Sequence, residues 1–202
     1  MKKVGYLVVL FACFLIVTPA LAGIPADVNS DDKLTKDELA DAILAYMLGG
    51  GDLSLEDLRD AAYVYVYWNG EPKTIVDSDG KEVEIYRPIK RIVVLGTTHA
   101  EVLRSLGAED KIVGISTYIT KKPDFFPKLK ELPTVGSGYR PDYEAIINLK
   151  PDIVLQYSGW TPEMDEKLEP FGIKVIRLGF KLMNYTREVA SLGDILDKKN
   201  RS

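Results

Sequence analysis

Four short runs that are apolar almost throughout constrain this chain most: Arg91-Ile92-Val93-Val94-Leu95, Ile112-Val113-Gly114-Ile115, Asp152-Ile153-Val154-Leu155 and Lys174-Val175-Ile176. A half-solvated strand alternates apolar and polar residues, whereas a strand covered on both faces does not need to. Between the runs the period lengthens to that of a helix. Ala100, Val102, Leu103 and Leu106 share one helical face that Gly107 ends, Tyr143 to Leu149 and Pro162 to Phe171 read as helices, and Tyr185, Val189, Leu192 and Leu196 line a last one. A further short strand is expected near Thr134-Val135. Upstream, Thr74-Ile75-Val76 and Glu82-Val83-Glu84-Ile85 flank Asp77-Ser78-Asp79-Gly80, a hairpin signature. Strands alternating with helices imply an α/β fold: a parallel-sheet lobe with helices on both faces.

The N-terminus carries a different message. Lys2 and Lys3 precede an apolar run from Val4 to Val17, and Ala20-Leu21-Ala22 supplies the small residues that a signal peptidase reads. Residues 1–22 therefore read as a secretory signal, with an uncleaved anchor as the alternative. The single cysteine, Cys13, lies in that run with no small-residue lipobox before it, so a mature chain would hold no disulfide, cysteine nucleophile or thiolate metal site. Cleavage would also take two lysines, leaving 24 basic against 30 acidic residues in 180. That balance disfavours nucleic acid as a partner. His99 is the one histidine, which excludes a His-clustered zinc site and makes any Ser-His-Asp triad depend on it alone.

Between the signal and the hairpin stands Asp27-Val28-Asn29-Ser30-Asp31-Asp32-Lys33-Leu34-Thr35-Lys36-Asp37-Glu38. Oxygen-bearing side chains occupy its first, third, fifth, ninth and twelfth places. A twelve-residue loop of this kind can wrap Ca2+ through the Asp27, Asn29 and Asp31 side chains, the Lys33 carbonyl, Thr35 and a closing Glu38. Asp32 stands where glycine normally makes the sharp turn, a substitution aspartate tolerates at a cost of about 1 kcal/mol. The alternative is a solvated, charged linker. Thr35 and Glu38 also form a helix-starting pair, followed by Leu39, Ile43, Tyr46 and Met47 at helical spacing. A second helix can start at Ser54 with Asp57, and Tyr63 to Trp68 reads as its continuation although the run also has strand-like alternation. These residues resemble the first repeat of a dockerin, or more broadly an EF-hand. The second loop of that pattern is degenerate: Gly49-Gly50-Gly51 leads to Asp52-Leu53-Ser54-Leu55-Glu56 without alternating carboxylates. Residues 23–70 are thus expected to form a small all-α, EF-hand/dockerin-like module.

Open parallel sheets gather ligands at the carboxyl ends of their strands. The residues just past each strand are Thr97-Thr98-His99, Thr117-Tyr118, Gly138-Tyr139-Arg140, Gln156-Tyr157-Ser158-Gly159-Trp160 and Gly179-Phe180-Lys181. There is no Gly-rich dinucleotide fingerprint among them. Aromatic rings with one arginine suit a bulky, partly flat and partly anionic ligand, or some of the rings cap the sheet.

The segments KRIVVLGTTHAEVLRSLGAEDKIVGIS, LPTVGSGYRPDYEAIINLKPDIVLQYSGW and LEPFGIKVIRLG, together with the hairpin TIVDSDGKEVEI, resemble the N-terminal lobe of the periplasmic binding proteins that deliver iron–siderophore, haem or cobalamin to ABC importers. The resemblance implies two lobes joined by a long helix, a metal complex held in the cleft between them, and no bond breaking. By position, Tyr118, Tyr139, Arg140, Tyr157 and Trp160 would line this lobe's half of the cleft, with Thr98 at the same edge. Glu144 would meet arginines of a membrane permease. His99 is expected in a loop near a helix start rather than as a metal ligand. Residues 73–202 would then be one lobe and the start of the connecting helix, with the second lobe absent because the chain is a fragment, a truncated product or one half of a two-chain protein. The expected function is the extracytoplasmic, periplasmic or cell-surface, substrate-binding component of an importer. The alternative is a calcium-dependent surface module that binds a protein, cohesin-like or other, with the α/β lobe as scaffold. An enzyme finds least support, for no nucleophile–base pair or nucleotide loop is present.

Overall fold

The computed structural model describes residues 23–198; the signal-like segment with Cys13 lies outside the described residues. Two helices come first, α1 (Lys36–Met47) and α2 (Leu55–Tyr67). Each opens with a reciprocal capping box, Thr35 with Glu38 and Ser54 with Asp57, which satisfies two backbone donors that a helix start leaves unpaired. The Tyr63–Tyr67 stretch is helical, because its alternation is outweighed by the cap and by burial of Leu58, Ala61 and Val64 along one face.

The antiparallel hairpin β1 (Lys73–Val76) and β2 (Glu82–Ile85) follows. Then come β3 (Ile92–Val94), α3 (Thr97–Ser105), β4 (Ile112–Ile115), the single-turn α4 (Thr117–Thr120), α5 (Tyr143–Asn148), β5 (Ile153–Gln156), α6 (Met164–Leu168), β6 (Lys174–Arg177) and α7 (Tyr185–Ile195). The last four strands form one parallel sheet in the order β4-β3-β5-β6.

Strand periodicity splits the interior into two layers. Ile92, Val94, Ile153, Leu155 and Ile176 face the core shared with α3, α7, the hairpin and the N-terminal helices. Val93, Leu95, Val154 and Val175 face a second core closed by Ile146 of α5 and by Met164 and Leu168 of α6. Helices thus cover both faces, as the apolar runs predict.

Two expected elements are smaller than the sequence suggests. At Thr134-Val135 there is a single parallel bridge, Ile115 to Thr134, because Pro133 has no N–H to extend a ladder and the chain turns back at Gly136 to bridge Pro141. The helix expected over Pro162–Phe171 is α6 plus a 3-10 turn, Glu169–Phe171, since Pro170 cannot continue the i→i−4 bonding.

The N-terminal helices are joined to the lobe by more than a linker. Asp60 of α2 is 4% exposed and meets Lys90 Nζ at 2.6 Å and Arg87 at 3.9 Å. Burial raises the Asp60 carboxyl above its ordinary range, and the two cations pull it back only in part. Trp68 Nε1 donates to Asp197 just past α7 at 3.1 Å, and Lys73 of β1 meets the same carboxylate at 2.7 Å.

Candidate ligand-binding edge

At the carboxyl edge of the sheet the structure aligns six rings in a continuous ladder. Tyr139 stacks on Trp160 with centroids 3.6 Å apart and 23° between planes. Trp160 meets Tyr157 at 5.1 Å, Tyr157 meets His99 at 4.7 Å, His99 meets Phe180 at 5.2 Å, and Phe180 meets Tyr185 at 5.7 Å. The tilted and edge-on members use the spacing that ring quadrupoles favour. The rings come from α3, from the loops after β5 and β6, from α7 and from the turn before α5, so only the fold brings them together.

Two glycines make room for the ladder. A Cβ on Gly138 would lie 2.8 Å from the Trp160 ring, and one on Gly96 would lie 2.4 Å from His99 Nδ1 and 2.6 Å from the Tyr157 ring. Tyr157 is fixed further by Thr98: its hydroxyl lies 3.1 Å from Thr98 Oγ1 and 3.3 Å from the Thr98 backbone N–H, which donates to it. Tyr139 is 61% exposed, so the outer end of the ladder presents a ring to solvent.

Of the residues proposed from sequence, Thr98, Tyr139, Tyr157 and Trp160 converge. Tyr118 and Arg140 lie outside the ladder. The Tyr118 ring is accompanied by Lys121 at 5.9 Å, and Arg140 is exposed, with its backbone N–H donating to Ser137. Glu144 is exposed in the first turn of α5.

His99 corrects its sequence reading. It belongs to the first turn of α3 rather than to a loop, and it is fully buried between Tyr157 and Phe180. Neither ring nitrogen makes a well-formed hydrogen bond. Burial pushes its pKa down to about 4, against a weak opposing pull from the backbone of Gln156 and Leu178. His99 and Phe180 were visible at the edge as residues but carried no mark of pairing. Of the residues that hold the edge from behind, Asp79 was marked only as part of a hairpin turn, and Arg177 and Glu188 carried no sequence signal.

The ladder runs from the buried His99 to the exposed Tyr139. A concavity of about 470 Å3 lies at the opposite, amino end of the sheet, beside Tyr86, Ile89, Pro151, Phe171 and Lys174. Among the described residues no three His, Cys, Asp or Glu side chains gather as a metal-ready cluster, and no helix is long and apolar enough to cross a membrane.

The loop over Asp27–Glu38 is ordered by its own side chains. Asp27 Oδ2 accepts from the Asp32 N–H at 3.0 Å, and Asp32 takes the left-handed conformation at φ 61°. Asn29 and Asp31 accept from the N–H groups two residues on, at 2.9 and 3.0 Å. The Glu38 carboxyl is held below its ordinary range first by the Thr35 hydroxyl, then by the Thr35 N–H, with smaller contributions from the Asn29 and Val28 N–H groups. Leu34 is buried, and its N–H donates to the Gly70 carbonyl at 2.7 Å.

Comparison with known proteins fits this architecture. A periplasmic solute binding protein from Veillonella parvula superposes with a TM-score of 0.56 at 28% identity, over 63% of this chain and 42% of that one. The heme binding protein HmuT, at 24% identity and a TM-score of 0.51, shares the fold. Among curated proteins, a Bacillus subtilis ABC transporter substrate-binding lipoprotein, YvrC, itself uncharacterized, is 35% identical over 109 residues, 52% of this chain and 33% of its own length. A vitamin B12-binding protein of Vibrio vulnificus is 29% identical over 112 residues, 55% of this chain and 37% of its own. The chain spans about a third of the length of these two curated relatives. With a parallel sheet covered on both faces, a ring-lined carboxyl edge, and residues 92–202 matching the family described as periplasmic binding protein, this chain belongs to that family.

Proposed function

We propose that this chain is one lobe of the extracytoplasmic substrate-binding component of an ABC importer, and that its ring ladder forms half of a cleft for a bulky metal complex: haem, a ferric siderophore or cobalamin. The observation that carries this reading is the stack of the exposed Tyr139 on the half-buried Trp160, backed by Tyr157 on the ligand-gathering edge. Flat rings offer large contact area with little conformational entropy to lose, and the exposed Arg140 beside Tyr139 is available to an anionic rim. Nothing in this arrangement breaks bonds; the role is capture and hand-over, with Glu144 as the contact to permease arginines. Titration with haemin, a ferric siderophore and cyanocobalamin, followed by Trp160 emission, tests it. At least one is expected to quench the wild type and not Trp160→Phe; emission indifferent to all three refutes it.

The N-terminal loop supports a second reading, Ca2+ binding by a dockerin/EF-hand-like module at residues 23–70. The Asp27–Asp32 bond and the left-handed Asp32 favour this reading, with Asn29, Asp31, the Lys33 carbonyl, Thr35 and Glu38 as the remaining donors; Asp27, Asp31 and Glu38 are not gathered into one cluster, and Glu38 caps α1 through Thr35, so the ion would have to draw them together. The donor set is oxygen only, which suits a hard cation. Calorimetric titration with CaCl2 is expected to show one site, lost in Glu38→Ala. Leu44, Met47 and Leu48 of the same module are exposed and would serve a protein partner, cohesin-like or other, in a calcium-dependent surface module. Capture that persists in Glu38→Ala would refute that role.

A further inference from the structure

The turn Asp77-Ser78-Asp79-Gly80 joins β1 to β2, yet its side chains are spent largely elsewhere. It lies across the ends of β5 and β6. The Ser78 N–H donates to the Arg177 carbonyl at 2.7 Å, Ser78 Oγ accepts from the Gly179 N–H at 2.9 Å and donates to Glu188 at 2.6 Å. Glu188, 3% exposed in α7, also accepts from the Phe180 N–H at 2.6 Å. Asp77 Oδ1 accepts from the N–H groups of Asp79 and Lys81, which accounts for the turn's own shape. Asp79 makes no side-chain bond within its hairpin. Its carboxylate accepts from Ser158 Oγ at 2.5 Å and from the Gly159 N–H at 3.1 Å, and faces Arg177 Nε at 3.6 Å.

Arg177 completes the arrangement. Its guanidinium is buried, pairs with Asp165, and donates to the carbonyls of Trp160 at 3.3 Å and Thr161 at 2.9 Å. Within the Tyr157–Thr161 loop the one backbone bond is Trp160 N–H to the Tyr157 carbonyl at 3.2 Å. The buried Gln156 side chain pins the two ends of this segment, accepting from the Tyr157 N–H at 2.8 Å and donating to Thr161 Oγ1 at 3.1 Å, while its middle, Ser158 to Trp160, is held from outside by a carboxylate about eighty residues earlier in the chain and by the arginine that ends β6. Charge-assisted bonds of this kind are the stronger ones, and they fix direction as well as distance.

We infer that Asp79 is a positioning residue of the ligand-binding edge: it sets the Ser158–Trp160 backbone, and through it the stack of Trp160 on Tyr139. The ligand consequence rests on the cargo reading above, whereas the geometric one does not. The experiment compares full-length wild type, Asp79→Ala, Asp79→Asn, Ser158→Ala and Trp160→Phe by near-UV circular dichroism, by tryptophan emission, and by titration with haemin and cyanocobalamin. Trp160→Phe identifies the signal that belongs to the stacked pair. Asp79→Ala is expected to lose that signal and to weaken binding of the probe about tenfold, the factor that accompanies loss of one charge-assisted hydrogen bond. Asp79→Asn keeps an acceptor oxygen and should recover most of both. A folded Asp79→Ala with the wild-type near-UV spectrum overturns the inference; should that variant fail to fold, an unchanged spectrum in Ser158→Ala, which removes the Ser158 Oγ bond to the same carboxylate, overturns it. If wild type binds neither probe while the Asp79→Ala spectrum changes, it is the cargo reading that loses support and the positioning role stands.

Discussion

His99 makes the stability of this protein depend on pH in a way that one substitution can isolate. It is the chain's single histidine, fully buried, with neither ring nitrogen well bonded, and its pKa falls from the ordinary 6.5 to about 4. Between these values the unfolded chain holds a proton that the folded one refuses. Stability from this group is therefore complete above 6.5 and is lost as pH falls towards 4. Linkage gives a loss of about 2 kcal/mol between about pH 7.5 and about pH 5. Asp60 acts with the opposite sign, since its raised pKa makes protonation favour the fold, while Asp57 and Asp165, held low, lose their contributions only as pH drops below their ordinary 3.8. The test is urea unfolding of wild type and His99→Leu by far-UV circular dichroism at the two pH values. Leucine is close to histidine in volume and leaves no unpaired nitrogen, so the variant should be no less stable near pH 7.5 and should lose about 2 kcal/mol less on acidification. Equal losses in the two proteins would refute the argument that His99 is held neutral.

Three other outcomes follow from particular contacts. Gly138→Ala places a Cβ 2.8 Å from the Trp160 ring, so Trp160 should leave Tyr139; fluorescence should report the change while the midpoint of unfolding moves by only a few degrees, on the order of 1 kcal/mol. Arg177→Met strands Asp165 with Lys81 alone and frees two loop carbonyls; a loss of about 3 kcal/mol in urea unfolding is expected, and a neutral effect would argue that the buried network is no stronger than an apolar replacement. Lys90→Ala leaves the buried Asp60 with Arg87 at 3.9 Å; because Lys90 is itself partly exposed, the expected cost is about 1–2 kcal/mol, smaller near pH 4 where Asp60 can protonate.

Much of the lobe could be read before any coordinates. The β3, β4, β5 and β6 strands announced themselves because residues buried on both faces have no polar face to show, and the hairpin and α3 were marked by Gly80 and Gly107. Both capping boxes were legible because their partners are three residues apart. What escaped were relations between distant residues. Asp79 and Ser158 are remote in sequence, as are His99 and Phe180, and no local pattern distinguishes a turn aspartate that closes a hairpin from one that grips a loop on another strand. Likewise Tyr118 and Tyr139 look alike from the strand ends, yet only Tyr139 joins the ladder.

The carboxylate of Asp197 accepts from Trp68, pairs with Lys73, and sits at the close of α7, so one side chain knots the helical pair, the hairpin and the last helix together. With Asp60 clasped by Arg87 and Lys90, this makes the N-terminal helices part of the lobe's cooperative unit. An excised lobe beginning at residue 73 would start life with two unmatched cations and an open flank of its hydrophobic interior, and heating the intact chain should give a single melting event rather than two.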